Sequence, residues 1–355
     1  MSFSFGNKIK ITIFGASHAD FIGTEIEGLP KGIKIDEDRL QKFMARRAPG
    51  NDEFSTPRKE PDAVIFEKGL EGGITTGEVI CAVIKNTNVR KTDYENLRDI
   101  PRPGHADFTA WAKYGNTVDM SGGGFFSGRM TAPMCIAGGI LMQIFEEKGI
   151  RIGAHIASVG NETDDLFDSV NVNKNDFVGD KPFPVINDEK GEKMKNAIRT
   201  AREDGDSIGG TVECAICGLP AGFGDALYGG LESRISSSVF AIPAVKGIEF
   251  GRGFESSTLL GSENNDAFRV KDGRIVTKTN NHGGILGGIS SGMPVIFRAA
   301  FKPTPSISKE QESVSLSKME NAVLSVKGRH DPCIVKRAVV CVEASVAIAL
   351  ADLVL

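Results

Sequence analysis

The sequence predicts a single domain, residues 1–355, in which short strands and a few long helices form two related halves. Glycine is abundant, at 42 residues, and this favours many tight turns. An internal repeat is the second observation. Residues 69–84 and 284–299 place glycines and a hydroxyl pair at identical offsets before an apolar strand, and residues 206–216 are a looser third copy. So few and such distant copies indicate two halves around one core rather than a solenoid.

Helices are predicted where apolar residues recur at helical spacing, and strands where apolar runs are short. The apolar stretch 339–355 contains Glu343 and Asp352, so it fits a buried terminal helix better than a membrane span. Four helices are predicted. One follows a cap at Asp36, one carries Met194, Ile198 and Ala201, one runs from near Ser127 to Gly149, and one covers residues 332–355. The clearest predicted strands are residues 9–14, 152–156 and 210–218.

The composition excludes several classes of protein. A net charge of −4 gives no field that would hold nucleic acid or a membrane surface, so an anionic ligand must be met by local Arg and Lys clusters. The first residues do not resemble a secretory signal, and the six irregularly spaced cysteines indicate free thiols, so we expect a cytoplasmic protein. Cys214 and Cys217 are an odd number of positions apart on a predicted strand, so their sulfurs should face opposite sides, and no metal site is predicted.

Four of the five histidines lie in glycine-flanked loops, where catalytic groups often occur: His18, His105, His282 and His330. Each alone is more simply a turn residue, and His155 lies within a predicted strand. The sequence lacks the H-E-x-x-H pattern of zinc hydrolases, and no serine is expected to occupy the G-x-S-x-G nucleophile elbow of serine hydrolases. Asp331 is expected to cap the last helix, or to act as a base beside Arg329 and His330.

Basic residues cluster near the same loops. Arg side chains bind phosphate and carboxylate groups bidentately, and the 302–306 segment adds a lysine and two hydroxyls. The repeated glycine turns lack Walker and G-x-G-x-x-G signatures, so simple turn chemistry is favoured there over ligand binding. The residues themselves therefore predict an enzyme site that handles anions. The arginines are Arg46, Arg47, Arg102, Arg129 and Arg329.

Taken in order, these segments resemble the chorismate synthase family over essentially the whole chain. The matching segments are FGASH (14–18), RRAPG (46–50), RPGHADFT (102–109), KYG (113–115), GGG (122–124) before Arg129, DSIGG (206–210), GLPAG (218–222), NNHGG (280–284), KPT (302–304) and GRHDPC (328–333).

The resemblance implies an α+β fold, a β-α-β sandwich in which two antiparallel sheets pack face to face with helices outside, assembled as a homotetramer. It also implies the anti-1,4-elimination of phosphate from 5-enolpyruvylshikimate-3-phosphate, the last common step toward the aromatic amino acids. Reduced FMN would be required but not consumed. No nucleotide-reductase module is inserted in the chain, so we expect an external flavin reductant, and neither a nucleic acid nor a membrane partner.

The resemblance also implies roles for individual residues. His18, His105 and Asp331 match the catalytic residues, with one histidine near the flavin, the other near the leaving phosphate, and Asp331 taking the flavin N5 proton. Arg47, Arg102 and Arg129 match positions on the substrate or NADP side. The positions that match FMN contacts are Ser127, Ala244, Gly287, Lys302, Pro303, Thr304, Ser306 and Arg329.

Several positions depart from the family pattern. Ala16 and Ala19 replace Glu and Gly, Glu53 stands where the family has Arg, Pro243 replaces Asn, and residues 125–131 read FFSGRMT instead of RSSARET. Phe125, Phe126 and Met130 could therefore change FMN affinity. The alternative hypothesis is a flavin- or phosphoester-binding relative that has lost turnover, and whether the three catalytic positions converge on one pocket would discriminate the two. A phosphatase would need a nucleophile or metal cluster that the sequence does not offer.

Overall fold

The computed structural model describes residues 2–49, 54, 61–86, 99–115, 117–172, 176–326 and 331–355. Two antiparallel five-stranded sheets form its framework. The first has the strand order β1-β2-β3-β7-β4, with β1 Ser2–Phe5, β2 Lys10–Gly15, β3 Phe21–Glu27, β4 Ile65–Lys68 and β7 Ile80–Lys85. The second has the order β11-β16-β10-β8-β9, with β8 Arg151–Val159, β9 Glu162–Thr163, β10 Gly210–Cys217, β11 Val245–Phe250 and β16 Val295–Phe301.

Four two-stranded hairpins and seven α-helices complete the described elements. The hairpins are β5 Leu70–Glu71 with β6 Ile74–Thr75, β12 Phe268–Lys271 with β13 Arg274–Thr277, β14 Ile285–Leu286 with β15 Ile289–Ser290, and β17 Gln311–Ser315 with β18 Glu320–Leu324. The helices are α1 Glu37–Arg47, α2 Asp107–Tyr114, α3 Thr131–Glu147, α4 Asp188–Glu203, α5 Leu231–Val239, α6 Gly261–Asn264 and α7 Val335–Val354.

The two longest helices lie between the sheets. One side of α3 packs on β2, β3 and β7, one side of α7 packs on β8 and β10, and the two helices pack on each other. The expectation of sheets packed face to face with helices outside is therefore wrong for these two helices. The physical reason is their composition, because a helix that is apolar on nearly every side must be covered on every side.

Helices α3 and α7 run parallel and approach closely. Cys135 Sγ lies 3.9 Å from Cys341 Sγ, and one turn further along both helices Gly138 faces Ala344. A Cβ atom at Gly138 would collide with the Ala344 backbone, so this glycine allows the helices to pack. The core around them is one hydrophobic cluster that draws residues from both sheets.

The two copies of the repeat have the same local structure. In each, a hairpin of two-residue strands precedes a long strand, β7 or β16. Thr75 and Ser290 occupy the same place in these hairpins. Each hydroxyl donates to a proline carbonyl, of Pro30 or Pro220, and accepts the amide three residues beyond that proline. The strand orders β2-β3-β7-β4 and β8-β10-β16-β11 also follow the same path in chain order.

Most predicted elements are confirmed, with shifted ends. Asp36 caps α1 through the Arg39 amide, α3 begins after a short 3-10 turn, and α7 begins at Val335. Asp331 does not cap α7, because the residue before the helix is Ile334. Among the described residues, no helix is long and apolar enough to cross a membrane.

The outer face of the second sheet holds a buried polar cluster. His155 Nε2 lies 3.0 Å from Glu213 Oε2, and its Nδ1 lies 3.3 Å from Asp164 Oδ2. Burial alone would lower the pKa of His155, but hydrogen bonds to Asp164 and Glu213 raise it above 6.5. These carboxylates also accept the backbone amides of Phe167 and Ile186, so the cluster fastens the segment after β9 to the sheet.

Candidate active site

A cavity of about 580 Å³ opens where α3 and α7 begin. Most residues predicted to be functional line it: Arg47, Arg102, His105, Ser127, Arg129, Ala244, Lys302, Thr304, Ser306 and Asp331. Gly287 lies in the β14–β15 hairpin, and neither it nor Pro303 lines the cavity. Arg329, His330 and Glu53 lie outside the described residues.

His105 belongs to a network of charged side chains. Its Nδ1 lies 2.6 Å from Asp107 Oδ1, and Asp107 Oδ2 accepts a 2.7 Å hydrogen bond from Arg102 Nε. Burial would raise the pKa of Asp107, but hydrogen bonds from Arg102 and His105 hold it well below its usual range. Because this carboxylate accepts, His105 Nδ1 carries the hydrogen, and Nε2, which lies 3.3 Å from Arg102 Nη2, is the nitrogen that can accept a proton. Arg102 Nη1 also donates to Ser306 Oγ at 3.0 Å, which links the histidine to the 302–306 segment.

His18 and His105 contact adjacent glycines of one turn. The ring of His18 is so close to Gly122 that a Cβ atom there would collide with it. A Cβ atom at Gly123 would lie 3.2 Å from His105 Nε2. Both glycines have positive φ, of 61° and 88°, so this turn requires glycine for its backbone as well. Ser17, next to His18, lines the cavity and ties the loop to the turn by donating its amide to the Gly124 carbonyl at 3.1 Å.

A buried carboxylate holds two of the arginines. Asp62 Oδ2 forms an ion pair with Arg47 Nη1 at 2.6 Å, and Asp62 Oδ1 accepts a hydrogen bond from Arg129 Nη1. Burial would raise the pKa of Asp62, but Arg47 and Arg129 lower it below 3.8. Arg47 also donates to Thr131 Oγ1 at 3.0 Å and to the Gly128 carbonyl at 3.2 Å. Its guanidinium is thus fixed in the cavity wall.

Asp331 is positioned from the first turn of α7. Arg337 Nη1 lies 2.8 Å from Asp331 Oδ2, and Arg337 Nε donates to the Arg47 carbonyl at 2.8 Å. Arg337 therefore links Asp331 to Arg47, the last residue of α1. Neither Asp62 nor Arg337 emerged from the sequence, because no motif surrounds either residue and their partners are distant in the chain.

The 302–306 segment forms another part of the cavity wall. Lys302 Nζ donates to the Gly104 carbonyl, and burial, with Lys246 nearby, lowers the pKa of Lys302. Thr304 Oγ1 is a buried polar atom with no hydrogen-bond partner among the described residues. The Lys302 amide donates to the carbonyl of Ala244, which has a positive φ of 74°. A lysine and an unsatisfied hydroxyl on one segment can bind a phosphate.

The cavity wall is strongly cationic. Among the lining residues that the structure describes, Asp331 is the only carboxylate, and the others include Arg47, Arg102, Arg129, Arg337, Lys246 and Lys302. Phe125, Phe126 and Pro243 line it too, and the rings of Phe125 and Phe126 are 4.5 Å apart. The site can therefore hold a polyanion in a partly apolar space that limits solvent.

Comparisons with known proteins agree with one another. The family model described as chorismate synthase matches residues 9–355. A chorismate synthase of Lancefieldella parvula is 47% identical over 99% of this chain and 96% of its own length. One of Korarchaeum cryptofilum is 42% identical over 98% of this chain and 96% of its own. A crystal structure of chorismate synthase matches with a TM-score of 0.77 and 26% identity, covering 98% of this chain and 91% of that one.

Proposed function

The chain belongs to the chorismate synthase family and is a lyase that converts 5-enolpyruvylshikimate-3-phosphate to chorismate and phosphate, and on this premise we propose that the 580 Å³ cavity binds substrate and reduced FMN together. The convergence of His105, Asp331 and three arginines on one cavity supports this proposal. His18, the third proposed catalytic residue, packs on the lining residue Gly122 and is not itself among the described lining residues. The discriminating condition is therefore met by two of the three positions, and these two favour an active enzyme over a relative that only binds.

The residues present fit FMN. Lys302, Thr304 and Ser306 would hold its phosphate, because Thr304 Oγ1 is buried and lacks a partner among the described residues. Ser127 and Ala244 would contact the rest of the cofactor, and Arg329 and Gly287 remain proposed contacts by resemblance. When bound, reduced FMN supplies electron density that eases cleavage of the bond to phosphate.

The arginines would position the substrate and stabilise the phosphate as it leaves. Asp62 fixes Arg47 and Arg129, and Asp107 fixes Arg102, so these cations are held in place before the substrate arrives. A fixed cation costs little reorganisation during the reaction and acts strongly in a site that excludes water.

Three residues would handle protons. His105 is linked through Arg102 to Ser306, so we assign it to the flavin side, where Nε2 exchanges a proton. His18 packs on Gly122 at the other side of the same turn, and we assign it to the leaving phosphate. Asp331, held by Arg337, would accept the proton that the resemblance assigns to flavin N5.

The test is anaerobic formation of chorismate from 5-enolpyruvylshikimate-3-phosphate with chemically reduced FMN. We expect His105→Ala and Asp331→Asn each to lower turnover by about 10²-fold or more. His282→Ala is the matched control, because this loop histidine does not line the cavity. Unchanged turnover in the first two variants would contradict the assigned roles, and bound flavin without any turnover in the intact chain would favour the binding-only alternative.

The remaining proposals concern supply and assembly. We infer that an external reductant supplies the reduced flavin, so aerobic turnover with NADPH alone would refute this inference.

We also infer a cytoplasmic homotetramer. Phe268, Val270 and Ile275 on the β12–β13 hairpin are 61%, 79% and 68% exposed, as expected of a surface that a second copy covers. Light scattering should give four chains per particle, and Val270→Glu should lower that number, whereas an intact chain that is monomeric would contradict the proposal.

We further infer that the chain is one domain of two halves related by an approximate two-fold axis. The matched hydrogen bonds of Thr75 and Ser290, the matched strand orders and the parallel packing of α3 and α7 support this inference.

A further inference from the structure

Two cysteines lie beside the cavity without a part in the proposed mechanism. Cys341, in the second turn of α7, lines the cavity, and Cys135, in α3, is buried behind it. Their sulfur atoms are 3.9 Å apart. We propose that Cys341 is a site of reversible oxidation by hydrogen peroxide, and that Cys135 converts the oxidised sulfur into a disulfide that joins α3 to α7.

The surroundings of Cys341 are those of a reactive thiol. Cys135 Sγ donates to Cys341 Sγ, and Arg47, Thr131 and Arg337 are its polar neighbours. The hydrogen bond from Cys135, followed by the charges of the arginines, lowers the pKa of Cys341 despite its burial. A thiolate held by cations and reachable from a cavity is the form that attacks peroxides.

Three other thiols differ from Cys341 in the direction in which their pKa is shifted. Burial raises the pKa of Cys214 well above 9.0, that of Cys333 to about 12, and that of Cys217 to about 11. These three stay protonated at neutral pH and do not line the cavity. They therefore serve as internal controls for oxidation of Cys341.

The chemistry is balanced with peroxide as the only oxidant. The Cys341 thiolate attacks one peroxide oxygen, so an S–O bond forms, the O–O bond breaks, and hydroxide leaves as water after taking a proton. The Cys135 sulfur then attacks the Cys341 sulfur, so the S–S bond forms and the S–OH bond breaks with loss of a second water. One peroxide is reduced to two waters, and two thiols are oxidised to one disulfide.

The position of the pair predicts an effect on the cavity. A disulfide requires the sulfurs to be about 2.05 Å apart, so Cys341 Sγ must move toward α3. It would then lose the 3.3 Å hydrogen bond that its thiol donates to the Arg337 carbonyl, and its polar contact with Thr131, which also holds Arg47. Oxidised protein should therefore turn over more slowly until a dithiol reductant restores it.

The experiment treats the full chain with hydrogen peroxide, alkylates the remaining thiols, and maps them by mass spectrometry. We expect the Cys341 thiol to be lost at least about tenfold faster than that of Cys333, with a peptide pair linking residues 135 and 341 that dithiothreitol releases. In Cys135→Ser, Cys341 should instead gain oxygen atoms without a link, while Cys333→Ser should still form it. Cys135→Ala, checked for folding by circular dichroism, substitutes if the serine variant does not fold.

Two outcomes would overturn the proposal. One is loss of the Cys341 thiol no faster than that of Cys333, and the other is the absence of any 135–341 link in folded, oxidised protein. Both outcomes are read from peptide masses, so they do not depend on whether the proposed FMN site is correct.

Discussion

Asp62→Asn tests how strongly the buried carboxylate supports the site. Asp62 is only 1% exposed, and its two oxygens bind Arg47 and Arg129, which are themselves 2% and 9% exposed. The substitution keeps the shape but removes the negative charge, so two buried guanidiniums lose their counterion. Removing one partner from a buried ion pair typically costs about 3–5 kcal/mol in the free energy of unfolding. We expect a loss in this range.

The same change should slow the reaction. Without Asp62, the two arginines lose the anion that they share and are held only by their remaining hydrogen bonds, such as those to Thr131 and Asn86. A displacement of about 1 Å in a positioning group can cost about a hundredfold in rate. We expect the loss in kcat as well as in kcat/KM, because in the proposed mechanism the arginines stabilise the developing charge of the leaving phosphate. Urea unfolding at fixed protein concentration gives the stability, and anaerobic assays of the folded variant give the rates.

Asp165→Asn is the matched control. Asp165 also pairs with one cation, Lys190 at 2.6 Å, but in solvent, so its removal should change neither the stability nor the rate. The pKa of Asp62 is lowered in the folded state, so its contribution is present above pH 3.8 and is lost as the pH falls through the lower folded-state pKa. Asp62→Asn should therefore remove part of the acid-induced loss of stability. A change in unfolding free energy below about 1 kcal/mol together with wild-type turnover would refute this reasoning.

Three further predictions concern the fold. The pKa of His155 is raised, so the stability that it contributes is complete below pH 6.5 and is lost as the pH rises through the folded-state pKa. His155→Gln should abolish that part of the pH dependence of urea unfolding. It should also leave two buried carboxylates without their cation. Gly138→Ala should destabilise by about 1–3 kcal/mol because its Cβ meets the backbone of Ala344. Gly261→Ala should be neutral in the same assay, because the nearest atom to its added Cβ would be Asn265 Nδ2 at 4.0 Å, an ordinary van der Waals contact. Residues 1–150 and 151–355 expressed separately should each remain unfolded by circular dichroism, because α3 and α7 cover each other, and a cooperatively folded half would contradict the single domain.

The parts of the fold that the sequence could predict are those with local causes. The Asp36 cap, the apolar run of α7 and the strand that separates Cys214 from Cys217 all depend on residues close in the chain. The two cysteines indeed lie in different hydrophobic clusters on opposite faces of the sheet. The place of α3 and α7 between the sheets could have been inferred from their nearly uniform apolar character.

The parts of the site that could not be predicted have distant causes. The contact between His105 and Asp107 is the exception, because the two residues are close neighbours at the start of α2 and the spacing alone brings them together. Asp62 meets Arg129, and Arg337 meets Arg47, only because sheets and helices place remote segments side by side. No periodicity or turn chemistry encodes such contacts. Polar residues without a motif are therefore the ones most easily missed.

The parallel packing of α3 and α7 gives a physical reason for the location of the proposed site. Because α3 and α7 run parallel, their amino-terminal ends lie at the same end of the molecule, and residues before and within the first turns of both helices line the cavity. Each helix contributes a partial positive charge at that end, which adds to the fixed arginines and attracts anions. Antiparallel helices would have cancelled this effect. A substrate with phosphate and carboxylate groups would therefore meet, in the proposed site, the fixed arginines together with the positive ends of both helices.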